Sequence, residues 1–304
     1  MPPDELAKNP EFYRKKYKEM LGLERFEQTT SRPAEIHYVG SDELCRIYRL
    51  SVFITEEIPF YAMLLIPHNV KEPMPLVIAQ HGGGGTPELC CDMNGKNNYS
   101  HMAQRAMERG NAILAPQLLL WGMTESATIR AHNVPHSRSK VDIDMKRFGS
   151  SITALEISGI MKTLDYVSEM KEIDADRVTM IGLSYGGYFT LHTMAADTRI
   201  KAGYSAGVFN DRNVYNWADM SYKGSAFAFQ DAEVAALCAP RKLYIQIGKE
   251  DQVFDYRNAI PEAERISAYF HAFGVPDNFK FDVWEGGHTI SVHDEGYDFI
   301  FSQI

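Results

Sequence analysis

No run in these 304 residues approaches the roughly 18 consecutive apolar residues of a membrane-spanning helix. The first twenty residues, MPPDELAKNPEFYRKKYKEM, also lack the apolar stretch of a secretory signal. Both absences lead us to expect a cytoplasmic protein with no membrane contact. Positive charge is scarce as well: 31 Lys and Arg stand against 40 Asp and Glu, a formal net charge of −9. With no concentrated basic patch, a nucleic-acid partner is not expected. The nearest approach to one, Arg14-Lys15-Lys16 with Lys18, reads as the solvated face of a short amphipathic helix. Cysteine is rare. Cys45, Cys90, Cys91 and Cys238 match no zinc spacing, and the adjacent pair Cys90-Cys91 makes a poor structural bridge, so reduced thiols are expected. Internal repeats and low-complexity linkers are missing too.

What is present is ordinary globular composition, 45% hydrophobic and 23% charged, in a chain long enough for one large, well-filled domain. Residues 1–30 read as a helical N-terminal extension ending near Gly22, and residues 31–304 as a single domain. The segments AEIHYVG, CRIYRLSVF and PFYAMLLIP, within 34–67, are rich in β-branched and aromatic residues and read as two or three strands. LVIAQ (76–80) is a continuous apolar run of the kind buried on both faces of a sheet. Strand and helix patterns then alternate. Residues 98–110 have helical spacing with a stop at Gly110, and 111–120 are strand-like. Ile152, Leu155, Met161, Leu164 and Val167 form a helical stripe opened by Ser150 or Ser151 as N-cap. RVTMIGL, IKAGYSAGV, RKLYIQIG and NFKFDVW are further strands, with helices expected at 186–197, 260–273 and 293–304. Such alternation predicts an α/β fold: a doubly wound, mostly parallel β-sheet with helices on both faces. The stretches 122–150 and 209–235 fit neither pattern and are expected to cover the site.

Within this frame IGLSYGG (181–187) follows a strand and precedes a helix. A turn that sharp needs glycines on either side of its central residue. It lifts Ser184 in strained geometry over the sheet's carboxyl edge, with the Tyr185 N–H turned toward an oxyanion. A serine hydroxyl is a poor nucleophile near neutral pH and requires a base. His288, in WEGGHTI after the last strand, lies on that edge; His293 is its nearest rival and is expected to begin the final helix. The orienting carboxylate is sought in IGKEDQVF, where Asp251 is preferred over Glu250 and Asp255. The order Ser184, Asp251, His288 is the one expected for a triad built on a doubly wound sheet. QHGGGG (80–85) supplies free backbone N–H groups after a buried strand, with Gly83 as second oxyanion donor and Gly82 as alternate. It matches neither glycine-rich nucleotide-binding pattern.

At these residues the sequence resembles the α/β-hydrolase superfamily, and within it the bacterial branch of dienelactone hydrolase-like and acetyl xylan esterase-like proteins. The resemblance covers roughly residues 35–304. HGGGG, FGSSITALEISGIMKTLDYV, IDADRVTMIGLSYGGYFTLHTMAADTRIKAGYSAG, IGKEDQVF and WEGGH carry it. It implies the α/β-hydrolase fold, Ser184, Asp251 and His288 as nucleophile, acid and base, and Tyr185 and Gly83 at the oxyanion positions. Dienelactone hydrolases use cysteine where this chain has Ser184, which favours ester substrates instead. The expectation is therefore a serine esterase taking a small-molecule ester of a short acyl group, such as an acetylated sugar. This chemistry requires no metal or organic cofactor. Trp121, Tyr185, Trp217 and Tyr222 are candidate pocket walls. The N-terminal 30 residues are left with packing or a homo-oligomer contact. A peptidase or amidase of the same fold is the rival enzyme reading, and a non-catalytic binding protein the rival outside enzymes.

Overall fold

The computed structural model describes every residue except 29, 69, 94–96, 120–137 and 303–304. Nine strands form one sheet: β1 (Glu35–Ser41), β2 (Cys45–Phe53), β3 (Pro59–Pro67), β4 (Met74–Gln80), β5 (Ala112–Pro116), β6 (Ile173–Leu183), β7 (Ile200–Ala206), β8 (Lys242–Gly248) and β9 (Phe279–Trp284). Their order in space is β1-β2-β3-β5-β4-β6-β7-β8-β9. The first three strands and the β3–β5 pair are antiparallel, whereas β5, β4, β6, β7, β8 and β9 run parallel. Parallel strands place all their carboxyl ends on one edge. The residues that follow β4, β6, β7, β8 and β9 therefore meet there, although they are far apart in sequence.

The central strands are apolar on both faces because helices cover both. Leu76, Val77, Ile78 and Ala79 of β4 are all 0% exposed. The helix Tyr185–Ala196 is buried at every residue. It lies between the sheet and the helices Pro10–Leu21 and Asp231–Ala236. A helix apolar all round belongs in such a layer. The helix Ile152–Ser168 starts at Ser151, whose Oγ accepts from the Ala154 N–H at 3.0 Å, while Ser150 donates to the Gly22 carbonyl at 2.9 Å.

The N-terminal stretch folds as the helices Pro3–Lys8 and Pro10–Leu21, the second ending at Gly22 in a left-handed conformation. Leu6, Tyr17 and Leu21 are fully buried in the main core. One expectation fails here. Lys15 and Lys16 are exposed, but Arg14 points inward and donates to the carbonyls of Ala195 and Leu237. Those oxygens belong to the ends of two helices, which leave carbonyls without intrahelical partners. Other boundaries shift modestly. The helix expected over 98–110 is confined to Met102–Met107, β6 begins four residues early at Ile173, and the last helix is Glu295–Phe301, leaving His293 ahead of it. All four cysteines are buried and unbridged. Among the described residues no helix is long and apolar enough to cross a membrane.

Candidate active site

β6 runs into the helix Tyr185–Ala196 through a single residue, Ser184, whose backbone adopts φ 59°, ψ −121°. A non-glycine residue at positive φ is strained and persists only where its surroundings enforce it. They do so on both sides. A side chain on Gly182 would meet the Gly186 oxygen at 2.2 Å, and one on Gly186 would meet the Gln80 oxygen at 2.1 Å. The Ser184 N–H donates to the Ala206 carbonyl at 2.8 Å, and the Ser184 carbonyl accepts from the Tyr188 N–H at 2.9 Å. Ser184 thus stands at the N-cap of that helix, the end at which a helix leaves backbone N–H groups without intrahelical acceptors.

After β8, the Asp251 carboxylate is wholly buried and binds on both oxygens. Oδ1 accepts from the N–H groups of Val253 (2.8 Å) and Phe254 (3.0 Å), and Oδ2 lies 2.8 Å from His288 Nδ1. An ionised carboxylate accepts, so Nδ1 carries the proton and Nε2 presents a lone pair. Glu250 is exposed, and Asp255 caps the helix Tyr256–Ala272 and pairs with Arg257, so neither rival carboxylate reaches the ring. The loop after β9 is held close to the one after β8. The Glu250 N–H donates to Gly286 O at 2.9 Å, and a side chain on Gly248 would strike the Gly286 oxygen at 2.2 Å. Asn98 Nδ2 fixes the His288 carbonyl at 3.1 Å. Ser184 and His288 both lie against the carboxyl end of β7, at the adjacent residues Ala206 and Gly207. Ser184 is bonded to Ala206, and a side chain on Gly207 (φ 61°) would lie 3.4 Å from His288 Cε1 and Nδ1.

The loop after β4 sits beside Ser184: a side chain on Gly82 would meet Ser184 Cβ at 3.2 Å. The Gly82 N–H is donated to the Tyr99 hydroxyl at 2.9 Å, which removes Gly82 as a free donor. The Gly83 N–H takes no partner among the described residues. His81 is fully buried behind this loop. Its Nε2 accepts from the Leu118 N–H at 3.0 Å, so Nδ1 donates to the Gly82 carbonyl at 2.8 Å. Desolvation holds this imidazole neutral, its pKa depressed to about 4.

Tyr185 continues outward from Ser184. Its hydroxyl donates to the Asp219 carboxylate at 2.9 Å, and its ring stacks on Trp217 with centroids 5.8 Å apart. Trp217 packs on Phe254 (5.2 Å) and Phe254 on His288 (6.0 Å), so aromatic rings join the Ser184 corner to the imidazole. Asp219 also accepts from Arg138 Nε at 2.7 Å, and Arg138 grips the fully buried Glu156 through two nitrogens at 2.6 and 2.7 Å. Burial raises the Glu156 pKa, and the adjoining guanidinium opposes that rise. Tyr222 is nearly buried against Tyr17 and His192, its hydroxyl donated to the Phe229 carbonyl. Both Trp217 and Tyr222 line a cavity of ≈ 200 Å³. Trp121 lies outside the described residues. Tyr99, His81, Asn98 and the Glu156–Arg138–Asp219 chain escaped sequence reasoning. Only His81, preceding the four glycines, carried a local signal.

A "putative acetyl xylan esterase" from Bacteroides fragilis superimposes with a TM-score of 0.77 over 99% of this chain and 83% of its own, at 17% identity. This chain has the α/β-hydrolase fold. A glucuronoyl esterase from Solibacter usitatus shares it with a TM-score of 0.63, 15% identity, and coverage of 95% and 90% of the two chains. The family model of the prolyl oligopeptidase family (Peptidase_S9) matches residues 154–265, the stretch from the helix before β6 to the helix after β8. In sequence the chain is 22% identical over 250 residues to "Putative hydrolase YtaP" of Bacillus subtilis, covering 77% of this chain and 78% of that protein. In an α/β-hydrolase fold the edge that holds Ser184, Asp251 and His288 is the one where ligands bind, outside the carboxyl ends of the strands.

Proposed function

We propose that this protein is a serine hydrolase that cleaves carboxylic esters of short acyl groups, with a carbohydrate acetate as the favoured substrate class. The observation that carries this reading is the buried Asp251–His288 contact on the sheet edge that also carries the strained Ser184. In the proposed reaction Ser184 Oγ attacks the acyl carbon while His288 Nε2 takes its proton. Asp251 holds the tautomer and stabilises the imidazolium. The N–H groups of Gly83 and Tyr185 receive the oxyanion, each such donor contributing about 3 kcal/mol in comparable sites. The proton on Nε2 then passes to the departing alcohol, and a water activated by the same nitrogen releases the acid. Trp217 and Tyr222 are proposed as substrate-side walls. The carbohydrate preference is supported by the two structural neighbours described as an acetyl xylan esterase and a glucuronoyl esterase.

The match to the prolyl oligopeptidase family favours a second reading, a peptidase or amidase with the same catalytic residues. One experiment separates the two. Purified protein is assayed on p-nitrophenyl esters from acetyl to octanoyl, on acetylated sugars, and on p-nitroanilides of dipeptides. Esterase activity predicts that kcat/KM falls from acetyl or propionyl toward octanoyl. The described parts of the covering segments, 138–150 and 209–235, mix charges with a few aromatics and offer no long apolar lining, and each buried methylene would otherwise add about 0.8 kcal/mol. A kcat/KM that rises along the acyl series would refute the small-substrate reading, and faster turnover of the anilides would favour the peptidase.

A further inference from the structure

Two loops must be held in place for the proposed chemistry, and neither holds itself. Residues 81–86, with Gly83, and residues 285–294, with His288, contain no helix or strand. A donor or base misplaced by about 1 Å can cost about 10²-fold in rate, so the parts that fix these loops bear on catalysis. Three consecutive residues ahead of the helix Met102–Met107 reach both loops: Asn98, Tyr99 and Ser100.

Tyr99 is 2% exposed, its ring in an apolar cluster with Cys90, Met102 and Ile290. Its hydroxyl accepts from the Gly82 N–H at 2.9 Å. Gly82 opens a turn that the Gly85 N–H closes on the Gly82 carbonyl at 3.1 Å, and Gly83 is the next residue of that turn. The hydroxyl fits there because residue 85 has no side chain: a Cβ on Gly85 would lie 2.5 Å from it. The anchored residue is also the one beside Ser184, since a Cβ on Gly82 would lie 3.2 Å from Ser184 Cβ. Tyr99 thus fixes the point from which the turn presents Gly83 to the serine.

The residues on either side of Tyr99 bind the other loop. Asn98 Nδ2 donates to the His288 carbonyl at 3.1 Å, and the Asn98 carbonyl accepts from the Ile290 N–H at 3.1 Å. Ser100 Oγ donates to the Ile290 carbonyl at 2.6 Å. The segment is itself tied down at Asn97, whose Oδ1 accepts from the Tyr99 N–H and whose Nδ2 donates to the Leu89 carbonyl, both at 2.8 Å. Ser100 and His101 have φ of 50° and 58°. Two successive non-glycine residues in that region are strained and persist only where their surroundings enforce them.

We propose that Asn98–Ser100 is a positioning brace, with Tyr99 holding the oxyanion loop and Asn98 and Ser100 holding the base loop at a fixed separation across Ser184. Its catalytic role rests on the serine-hydrolase reading of the site. The test compares Tyr99→Phe and Asn98→Ala with the parent in kcat and KM for p-nitrophenyl acetate. It also measures the Ki of phenyl trifluoromethyl ketone. Ser184 Oγ adds to that ketone's carbonyl carbon, its proton passes to His288, and the carbonyl π pair moves onto the oxygen, giving the same oxyanion. Tyr99→Phe keeps the ring and removes only the acceptor, so kcat should fall by about 10- to 10²-fold with KM within about twofold. The Ki should rise by the factor by which kcat/KM falls. Asn98 is exposed, so Asn98→Ala removes no core packing, and its kcat should fall by about threefold to tenfold. Tyr269→Phe is the control: it removes a hydroxyl bonded to the Met1 carbonyl at 2.6 Å and should leave all three constants unchanged.

A folded Tyr99→Phe protein with parental kcat would overturn the proposal. So would a loss confined to KM, a Ki that stays constant while kcat falls, or an equal loss in Tyr269→Phe. Labelling of Ser184 by a fluorophosphonate is measured in parallel, because it needs the nucleophile and the oxyanion loop but no ester substrate. Labelling without ester turnover removes the ester reading and keeps the brace if Tyr99→Phe slows labelling by about tenfold or more. Ester turnover at equal rates in parent and Tyr99→Phe removes the brace alone. A parent that is neither labelled nor active overturns both.

Discussion

In the proposed mechanism, replacing Asp251 by asparagine changes one atom, and the surrounding hydrogen bonds decide how much catalysis survives. In the native side chain Oδ1 accepts from two backbone N–H groups, those of Val253 and Phe254, while Oδ2 faces His288 Nδ1. An asparagine can keep its oxygen on the two backbone donors only by turning its NH₂ toward the imidazole. The amide then donates to Nδ1, the ring proton moves to Nε2, and the base has no lone pair for Ser184. Flipping the amide restores the working tautomer but points NH₂ at the N–H groups of Val253, which is exposed, and Phe254, which is buried. Stranding the donor of the buried residue costs about 1–3 kcal/mol. At about 1.4 kcal/mol per factor of ten, the productive form is depleted between about 5-fold and about 10²-fold. Loss of the negative charge that stabilises the imidazolium adds to this, so a drop in kcat of about 10³ to 10⁴ is expected, with KM little changed. The assay is steady-state turnover of p-nitrophenyl acetate, with a urea melt to show that the variant is folded. Asp255→Asn and Glu250→Gln are the controls, and both should lose less than about tenfold. The reasoning fails if folded Asp251→Asn keeps activity within tenfold of the parent, or if Asp255→Asn loses as much.

Ser184→Gly should abolish turnover and yet raise stability by about 1 kcal/mol, because glycine relieves the positive φ that serine endures there; a lower urea midpoint than the parent's would contradict the strain argument. His81, neutral in the fold with a pKa near 4 against an unfolded 6.5, binds its proton more readily when the chain is unfolded. Its contribution to stability is therefore complete above about pH 6.5 and lost as pH falls toward 4, amounting to about 3 kcal/mol. His81→Asn should flatten this acid limb of the urea midpoint, and identical pH profiles for parent and variant would refute the assignment.

The sequence by itself determined the succession of strands and helices and the position of the strained corner at Ser184. Both are written in short-range terms. Strands buried on both faces show as unbroken apolar runs such as LVIAQ, helices show a 3.6-residue stripe such as that of 152–168, and a strand-to-helix turn through one residue demands Gly182 and Gly186 within four positions of each other. The sheet's carboxyl edge was legible for the same reason, since every parallel strand ends there. Tertiary structure decided which side chains close contacts across that edge. Asp251, and not its neighbours one and four positions away, lies on His288 because the loop after β8 turns its carboxylate inward over two backbone donors. Gly82 loses its donor to Tyr99 seventeen residues on, and Arg14 leaves the solvated face it was expected to occupy to satisfy carbonyls 181 and 223 residues away. Tyr17 meets His192, and Arg138 meets Glu156 and Asp219, through separations that no local pattern encodes. Periodicity records which way a residue faces relative to its own element. Buried polar groups find their partners only once the elements have packed, because burial is what makes a missing partner costly.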